Sequence, residues 1–302
     1  MQVLNLRTMK KCKAPSAVAL GYFDALHKGH LSLLSAVCDG EGTPTVFTFV
    51  GDFLGEKKPG SKPLFDFEAR CRQMESVGIQ QVVTLVAGRS SFSLSPKAFL
   101  RLLTQKTRAK RLVCGEDFRF GKGACWGVEE LSAYCKAHKI GLTVVPLSGM
   151  DEQKISSKAI RKAVVEGDMQ TASALLGRPY SLHGRVEMGR KLGRRLGYPT
   201  ANLPINPLLI VPAYGVYAAS VCVDGVRYPA ICNVGSHPTA QDLTHNVEVH
   251  LLGFEGDLYG RELWVELIEK LRDIMHFESL DALKEQLSLD SKEAIRLCEE
   301  RV

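Results

Sequence analysis

Through the first 178 residues the apolar positions fall into two alternating kinds of segment. Short β-branched or apolar runs occur at "SAVALGYF" (16–23), "PTVFTFV" (44–50), "QVVTLVAG" (81–88), "RLVCGE" (111–116) and "LTVVPL" (142–147). Runs of this length and composition predict strands. Between them, "HLSLLSAVCD" (30–39), "FDFEARCRQMESVG" (65–78), "SPKAFLRLLTQKTR" (95–108) and "VEELSAYCKAHKI" (128–140) repeat apolar residues at helical spacing. Ser93 and the Ser95-Pro96 step supply helix-start chemistry, a side-chain acceptor followed by a residue that needs no N–H partner. Five strands alternating with helices predict a parallel, doubly wound sheet. Ligands of such sheets sit beyond the carboxyl ends of the strands, which is where "GYFDALHKGH" (21–30) falls.

The pattern changes after "LLGRPY" (175–180). "SLHGRV" (181–186), "YGVYAASVCVDGVRYPAICNVG" (214–235), "HNVEVHLLGF" (245–254) and "RELWVELIEKL" (261–271) alternate with period two. Asp224-Gly225 between two such runs predicts a tight hairpin. Short strands at regular spacing predict an antiparallel barrel. The end, "SLDALKEQLSLDSKEAIRLCEE" (279–300), reads as a helix with Ser279 or Asp281 as cap. The change of style sets the expected domains at 1–179 and 180–302, with the boundary near Pro179.

Composition alters this picture little. At 45% hydrophobic and 24% charged, the 302 residues suit a globular chain of two domains. The net charge of +6 is spread out; it suits anionic small-molecule substrates or weak nucleic-acid contact and selects neither. The nine cysteines are odd in number and include no C-x-x-C pair, so they read as reduced, small apolar residues. No run approaches the roughly 18 apolar residues that would span a bilayer, and the first residues lack a signal-peptide core. The expected location is the cytoplasm, and self-association is left open.

Two histidines three apart, His27 and His30, share one face in the first turn of a helix. The free N–H groups there attract anions, and Gly29 admits a phosphate close to the backbone. Two surface histidines at a helix start would give the same spacing. "GYFDALHKGH" resembles the G-x-F-D-G-x-H-x-G-H signature of the nucleotidylyltransferase superfamily. "VCGEDFRFGKG" (113–123) and "ISSKAIRKAVVEGD" (155–168) are similar to two further motifs of the adenylyltransferase half of bacterial bifunctional riboflavin kinase/FAD synthetases. The resemblance implies a Rossmann-like α/β domain. It assigns His27 and His30, with Phe23, Asp24 and Gly29, to the ATP phosphates, Asp117 and Phe118 to the flavin side, and Ser157 and Arg161 to the triphosphate. The chain departs from the signature at Ala25, at Lys158 and Ala159, and in "VFTFVGDF" (46–53), where the family carries Pro-His-Pro.

In the second half, "GRVEMGRKLGRRLGYPTANL" (184–203) sets glycines among basic side chains, as a phosphate-binding or an RNA-contacting loop would. "GYPTAN" (197–202) resembles the G-[FY]-P-T-A-N motif of riboflavin kinases. That resemblance assigns Thr200 and Asn202 to Mg²⁺ and ATP, and Gly184, Gly189 and Gly197 to ATP. "YGVYA" (214–218), "NVGSHPT" (233–239), "VEVHLLGFEGDLYG" (247–260) and "LRDIMHFESLDAL" (271–283) follow in the family's order. By the same resemblance Glu248 is the general base and Arg272 lies near the flavin, whereas a strand Glu alone would read as solvent-facing. The implied architecture is the α/β domain followed by a small antiparallel β-barrel kinase domain with a C-terminal helix.

The implied activity is riboflavin phosphorylation followed by FMN adenylylation to FAD. Riboflavin, FMN, FAD and ATP are the partners, Mg²⁺ is the metal, and no flavin is permanently bound. Kinase activity alone, with an impaired N-terminal domain, and a flavin-sensing regulator are the alternatives. His237, His245 and His250 are too irregularly spaced for a metal site.

Overall fold

The computed structural model describes residues 1–146, 149–150, 153–188, 198–238 and 243–301. They form two compact units, Met1–Ser157 and Lys158–Val302.

The first unit runs β1 (Gln2–Asn5), β2 (Ser16–Leu20), α1 (Lys28–Cys38), β3 (Thr43–Val50), α2 (Phe53–Lys57) and α3 (Phe67–Ser76). It continues with β4 (Gln81–Val86), α4 (Arg89–Phe92), α5 (Pro96–Thr107), β5 (Ala109–Gly115), α6 (Val128–Ala137) and β6 (Gly141–Val145). A two-residue antiparallel pair, β7 (Gly149–Met150) and β8 (Gln153–Lys154), follows. Six strands make one parallel sheet in the order β1-β4-β3-β2-β5-β6. The expected five are present. The sixth, β1, is an edge strand of four residues, too short to show a period, and it is held by its parallel register with β4.

Central β2 is buried along its whole length. Val18 and Leu20 join the core with Leu100, Leu103 and Leu131, while Ala17 and Ala19 join the other with Leu34, Val37 and Met74. A sheet covered on both faces leaves only its ends for ligands. Ser95 caps α5 as expected, its hydroxyl accepting from Ala98 N–H at 3.2 Å ahead of Pro96.

The second unit begins on α7 (Ser157–Glu166) and α8 (Met169–Leu176) and then forms β9 (Tyr180–Arg185), β10 (Ala201–Pro204), β11 (Gly215–Val223), β12 (Val226–Pro238), β13 (Leu243–Leu251) and β14 (Glu262–Arg272), ending in α9 (Leu280–Glu299). The compact division thus falls two helices before the change of sequence style near Pro179. The reason is packing. Ala213 N–H donates to the Val164 carbonyl at 3.2 Å, and α8 lies against β9 and β14.

The six strands form one antiparallel sheet, β10-β13-β12-β11-β14-β9. It curls until its edges nearly meet, at the bridge between Glu187 and Asn202. Gly184 lies beside that seam, where a Cβ would stand 3.4 Å from the Pro204 carbonyl oxygen, an ordinary contact distance. The Asp224-Gly225 hairpin is present with φ of 52° and 84°, left-handed at both central positions as its tight turn demands. Ser279 caps α9, whose Ala294 and Leu297 pack on Val216, Ala218, Ile231 and Ile268.

All nine cysteines are free thiols. Burial pushes Cys114 and Cys135 up to about 11, which keeps them protonated and unreactive. Among the described residues no helix is long and apolar enough to cross a membrane.

Candidate functional sites

In the first unit the site grows from the turn between β2 and α1. Phe23 and Leu26 take left-handed backbone, φ 56° and 47°, and both are fully buried. Such a conformation costs a bulky residue about 1–3 kcal/mol and persists only when packing enforces it. Ala25 does not share it, so the departure from glycine there needs no left-handed freedom.

His27 is the N-cap of α1, its Nδ1 accepting from His30 N–H at 3.3 Å. The two rings stack with centroids 3.8 Å apart. Desolvation, reinforced by His27, lowers His30 to about 3, so its ring is neutral at physiological pH. The Nδ1 of His30 is buried without a hydrogen-bond partner. A cavity of about 270 Å³ opens beside the pair, lined also by Phe23, Gly29, Asp117, Phe118, Ser156 and Ser157. The three sequence motifs of this half therefore meet at one place. Asp24 is different: it is buried and accepts from Leu64 N–H at 3.1 Å, anchoring a loop. Arg161 follows Ser157 on the next turn of α7, in the second unit.

A second cavity, of about 620 Å³, is walled by Tyr22, Phe47, Phe49, Phe53, Phe92, Phe99, Phe118 and Phe120. Its volume suits a ligand the size of a cofactor. Asp117 and Phe118 line both cavities, so the polar and aromatic spaces adjoin. Tyr22, Phe53 and Phe49 stack at 4.4 and 4.7 Å. Beneath them lies Arg70, 3% exposed, which donates to the carbonyls of Tyr22 (2.8 Å) and Phe49 (3.2 Å) and to the Thr48 hydroxyl (3.2 Å). Of this wall only Phe118, with Asp117 beside it, was expected from the chain; the other aromatic residues come from segments spread over positions 21–124. The "VFTFVGDF" departure supplies part of it.

In the barrel, β10 pairs with β13 so that Asn202 stands opposite Glu248. Val247 and Val249 turn into the core, leaving Glu248 on the outer face. Asn246 joins the two, its Nδ2 donating to Asn202 Oδ1 and Glu248 Oε1, each at 3.3 Å. A small cavity of about 70 Å³ is lined by Thr200, Asn202, Val186, Val249, Asp257 and Tyr259, among others. His250 Nδ1 donates to the Pro199 carbonyl at 2.8 Å and its ring meets Tyr198 edge-on, so it holds the segment before Thr200.

Neither Asn246 nor His250 was marked by the sequence as a positioning residue; the strand register identifies both. Arg272 points its guanidinium at α9, with Nε and Nη2 on the Asp290 carboxylate at 2.8–3.2 Å, and lies over Phe277. Gln286 completes that clamp, donating to Asp290 at 2.8 Å. Gly189 and Gly197 lie outside the described residues. Tyr214 bonds to His245 at 2.7 Å, and no group of three His, Cys, Asp or Glu able to hold a metal occurs among the described residues.

The FAD synthetase family model matches residues 9–159 and the riboflavin kinase family model residues 176–298. Bifunctional riboflavin kinase/FMN adenylyltransferases from Bacillus subtilis and Escherichia coli K12 are each 33% identical. The first match covers 95% of this chain and 94% of the relative, the second 90% of each. A crystal structure described as a macrolide-efflux protein from Streptococcus pneumoniae superposes with a TM-score of 0.85 at 28% identity, over 97% of this chain and 98% of that one. Two adjoining cavities in an α/β unit, a polar triad on a barrel and matches to both halves converge, and the chain belongs to the bifunctional riboflavin kinase/FMN adenylyltransferase family.

Proposed function

We propose that the barrel unit phosphorylates riboflavin with Mg-ATP to FMN, and that the first unit joins FMN to the AMP moiety of a second ATP, giving FAD and pyrophosphate. The observation that carries this reading is that each unit holds its own polar site. Asn202, Asn246 and Glu248 form one, and the His27–His30 pair beside an aromatic cavity forms the other.

In the kinase step the Glu248 carboxylate takes the proton of the ribityl 5′-hydroxyl. That oxygen forms its bond to the γ-phosphorus as the bond to the leaving ADP oxygen breaks. Asn246 holds the carboxylate and the Asn202 amide in one arrangement. The Thr200 hydroxyl and Asn202 amide oxygen are hard oxygen donors of the kind Mg²⁺ accepts, with phosphates and water as further ligands. Bound there, Mg²⁺ would neutralise charge on the transferred phosphoryl group.

In the adenylyl step an FMN phosphate oxygen attacks the α-phosphorus while the bond to pyrophosphate breaks, so no protein nucleophile is required. His27 and His30 serve as fixed N–H donors to phosphate oxygens, and the open Nδ1 of His30 is the position such an oxygen would satisfy. Ser157 at the start of α7 adds a hydroxyl. The isoalloxazine ring stacks within the aromatic wall, with Asp117 and Phe118 at the junction of the two substrates. Both steps consume ATP, which fits a cytoplasmic enzyme, and flavins enter and leave as substrates and products.

The test is chromatographic: the protein is incubated with Mg-ATP and either riboflavin or FMN, and the flavins are separated. FAD from both tubes is expected. FMN from the first tube without FAD from either would leave a kinase alone, and unchanged flavin in both would overturn the reading.

A further inference from the structure

Residues 50–57, which begin within the stretch 46–53 where the chain departs from the family signature and run on past it, build part of the aromatic cavity. Asp52 caps α2, its carboxylate accepting from Gly55 N–H at 2.9 Å. The turn it starts sets Phe53 against Tyr22 and Phe49 and brings Lys57 to the cavity lining.

The Lys57 ammonium rests 4.5 Å from the Phe53 ring centroid. Among the described residues it has no hydrogen-bond acceptor and no ion-pair partner. Its side chain keeps solvent contact, while partial burial lowers its pKa from the ordinary lysine value. A cation resting on a ring face is held less firmly than one hydrogen-bonded to an oxygen, so an incoming acceptor can draw it away. Of the other cations lining the cavity, Arg119 is already engaged, its Nε donating to the Ala124 carbonyl at 3.0 Å, and Lys122 stands on the 122–124 turn rather than beside Phe53. A flat conjugated ligand stacked beside Phe53 would bring its edge within reach of that uncommitted donor.

We infer that Lys57 is a specificity-determining residue of this cavity, donating a charged hydrogen bond to the carbonyl-bearing edge of the flat ring that stacks among Tyr22, Phe49 and Phe53. This rests on the adenylylation reading for the identity of the ring. The pyrimidine edge of an isoalloxazine offers two carbonyl oxygens. Each amino-bearing edge of adenine sets a donor beside a single ring-nitrogen acceptor, a poorer match for an ammonium than two carbonyl oxygens. Lys57 therefore helps the cavity choose the flavin over the base of the other substrate.

The test compares Lys57→Met, which keeps the stem length without the charge, with Lys57→Arg, which restores a charged donor. In FAD formation by the full chain, K57M is expected to raise the KM for FMN about tenfold, the loss of one charged hydrogen bond. The KM for ATP should not change, and K57R should recover most of the loss. Calorimetric titration of FMN into the full chain should show one binding class weakened in K57M.

An unchanged KM and FMN affinity in K57M would overturn the role of Lys57 and leave adenylylation standing. An equal rise in both KM values would also overturn it, as a structural effect. If the wild type forms no FAD but K57M still weakens one FMN class, adenylylation fails and the ring-reading role survives. Neither FAD formation nor a Lys57-sensitive class would remove both.

Discussion

The two units hold their candidate site residues in opposite ways. In the first, His27 and His30 stand on a turn that passes through two left-handed, fully buried residues, and Ser157 stands at a helix start. In the second, Asn202, Asn246 and Glu248 stand on paired strands, where the ladder register itself puts Asn202 opposite Glu248. A turn keeps its geometry only through the burial of Phe23 and Leu26, whereas a ladder keeps it through backbone hydrogen bonds. The first arrangement gives adjoining cavities beyond the strand ends. The second gives a small cavity of about 70 Å³ beside the barrel strands.

The sharpest way to break this comparison is Glu248→Gln. FMN output from riboflavin should fall by about 10²–10⁴-fold, the usual reach of a general base, while conversion of supplied FMN to FAD stays intact. Equal loss of both activities, read on the same flavin chromatogram, would end the case for two independent sites. Next is Asp290→Ala, which strands the Arg272 guanidinium beside α9. Removing one partner of a buried pair costs about 3–5 kcal/mol, so the urea midpoint of the barrel should drop clearly. A midpoint unchanged within error would show that the clamp contributes nothing to the barrel.

If His30 is a fixed donor to the phosphates as proposed, His30→Ala should cut FAD formation by about 10²–10³-fold and spare riboflavin phosphorylation. Unaltered FAD output would take His30 out of the site. A smaller change is expected from Asn246→Ala, roughly tenfold in kcat for FMN formation, in line with the loss of an outer partner that orients a ligand-holding group. If Asn246 acts through Glu248, as their hydrogen bond suggests, the double variant with Glu248→Gln should add little.

The mildest test is pH. The folded value of His30, about 3, lies below its unfolded value near 6.5. Between those values the unfolded chain binds a proton that the folded chain does not. The stability tied to a neutral His30 is complete above about pH 6.5 and is lost as pH falls toward 3. The thermal midpoint of the ligand-free protein should fall by roughly a few degrees from pH 7 to pH 5. His30→Gln should flatten that slope; an identical slope would place the titration elsewhere.

Much of the fold was legible because its signals are local. Ser95-Pro96, Ser279 and Asp224-Gly225 each declare a cap or a turn within a few residues, and all three formed as expected. Strand β1 was missed because four residues cannot display a period and only β4 gives it a partner. The grouping of His27, His30, Asp117, Phe118 and Ser157 was visible as three motifs in order, without any view of the cavity they share. Arg272, expected beside the flavin, has its guanidinium committed to Asp290 eighteen positions further along.

By itself the sequence determined the alternation of elements, the barrel that follows the parallel sheet, and the residue types able to meet phosphate and accept a proton. Those follow from spacing along one segment, which the chain carries before it folds. Tertiary structure alone decided that aromatic residues from distant segments enclose one cavity, that Asn246 ties Asn202 to Glu248, and that His30 is buried with an open nitrogen. These depend on which segments pack together, and burial, register and desolvation are properties of that packing.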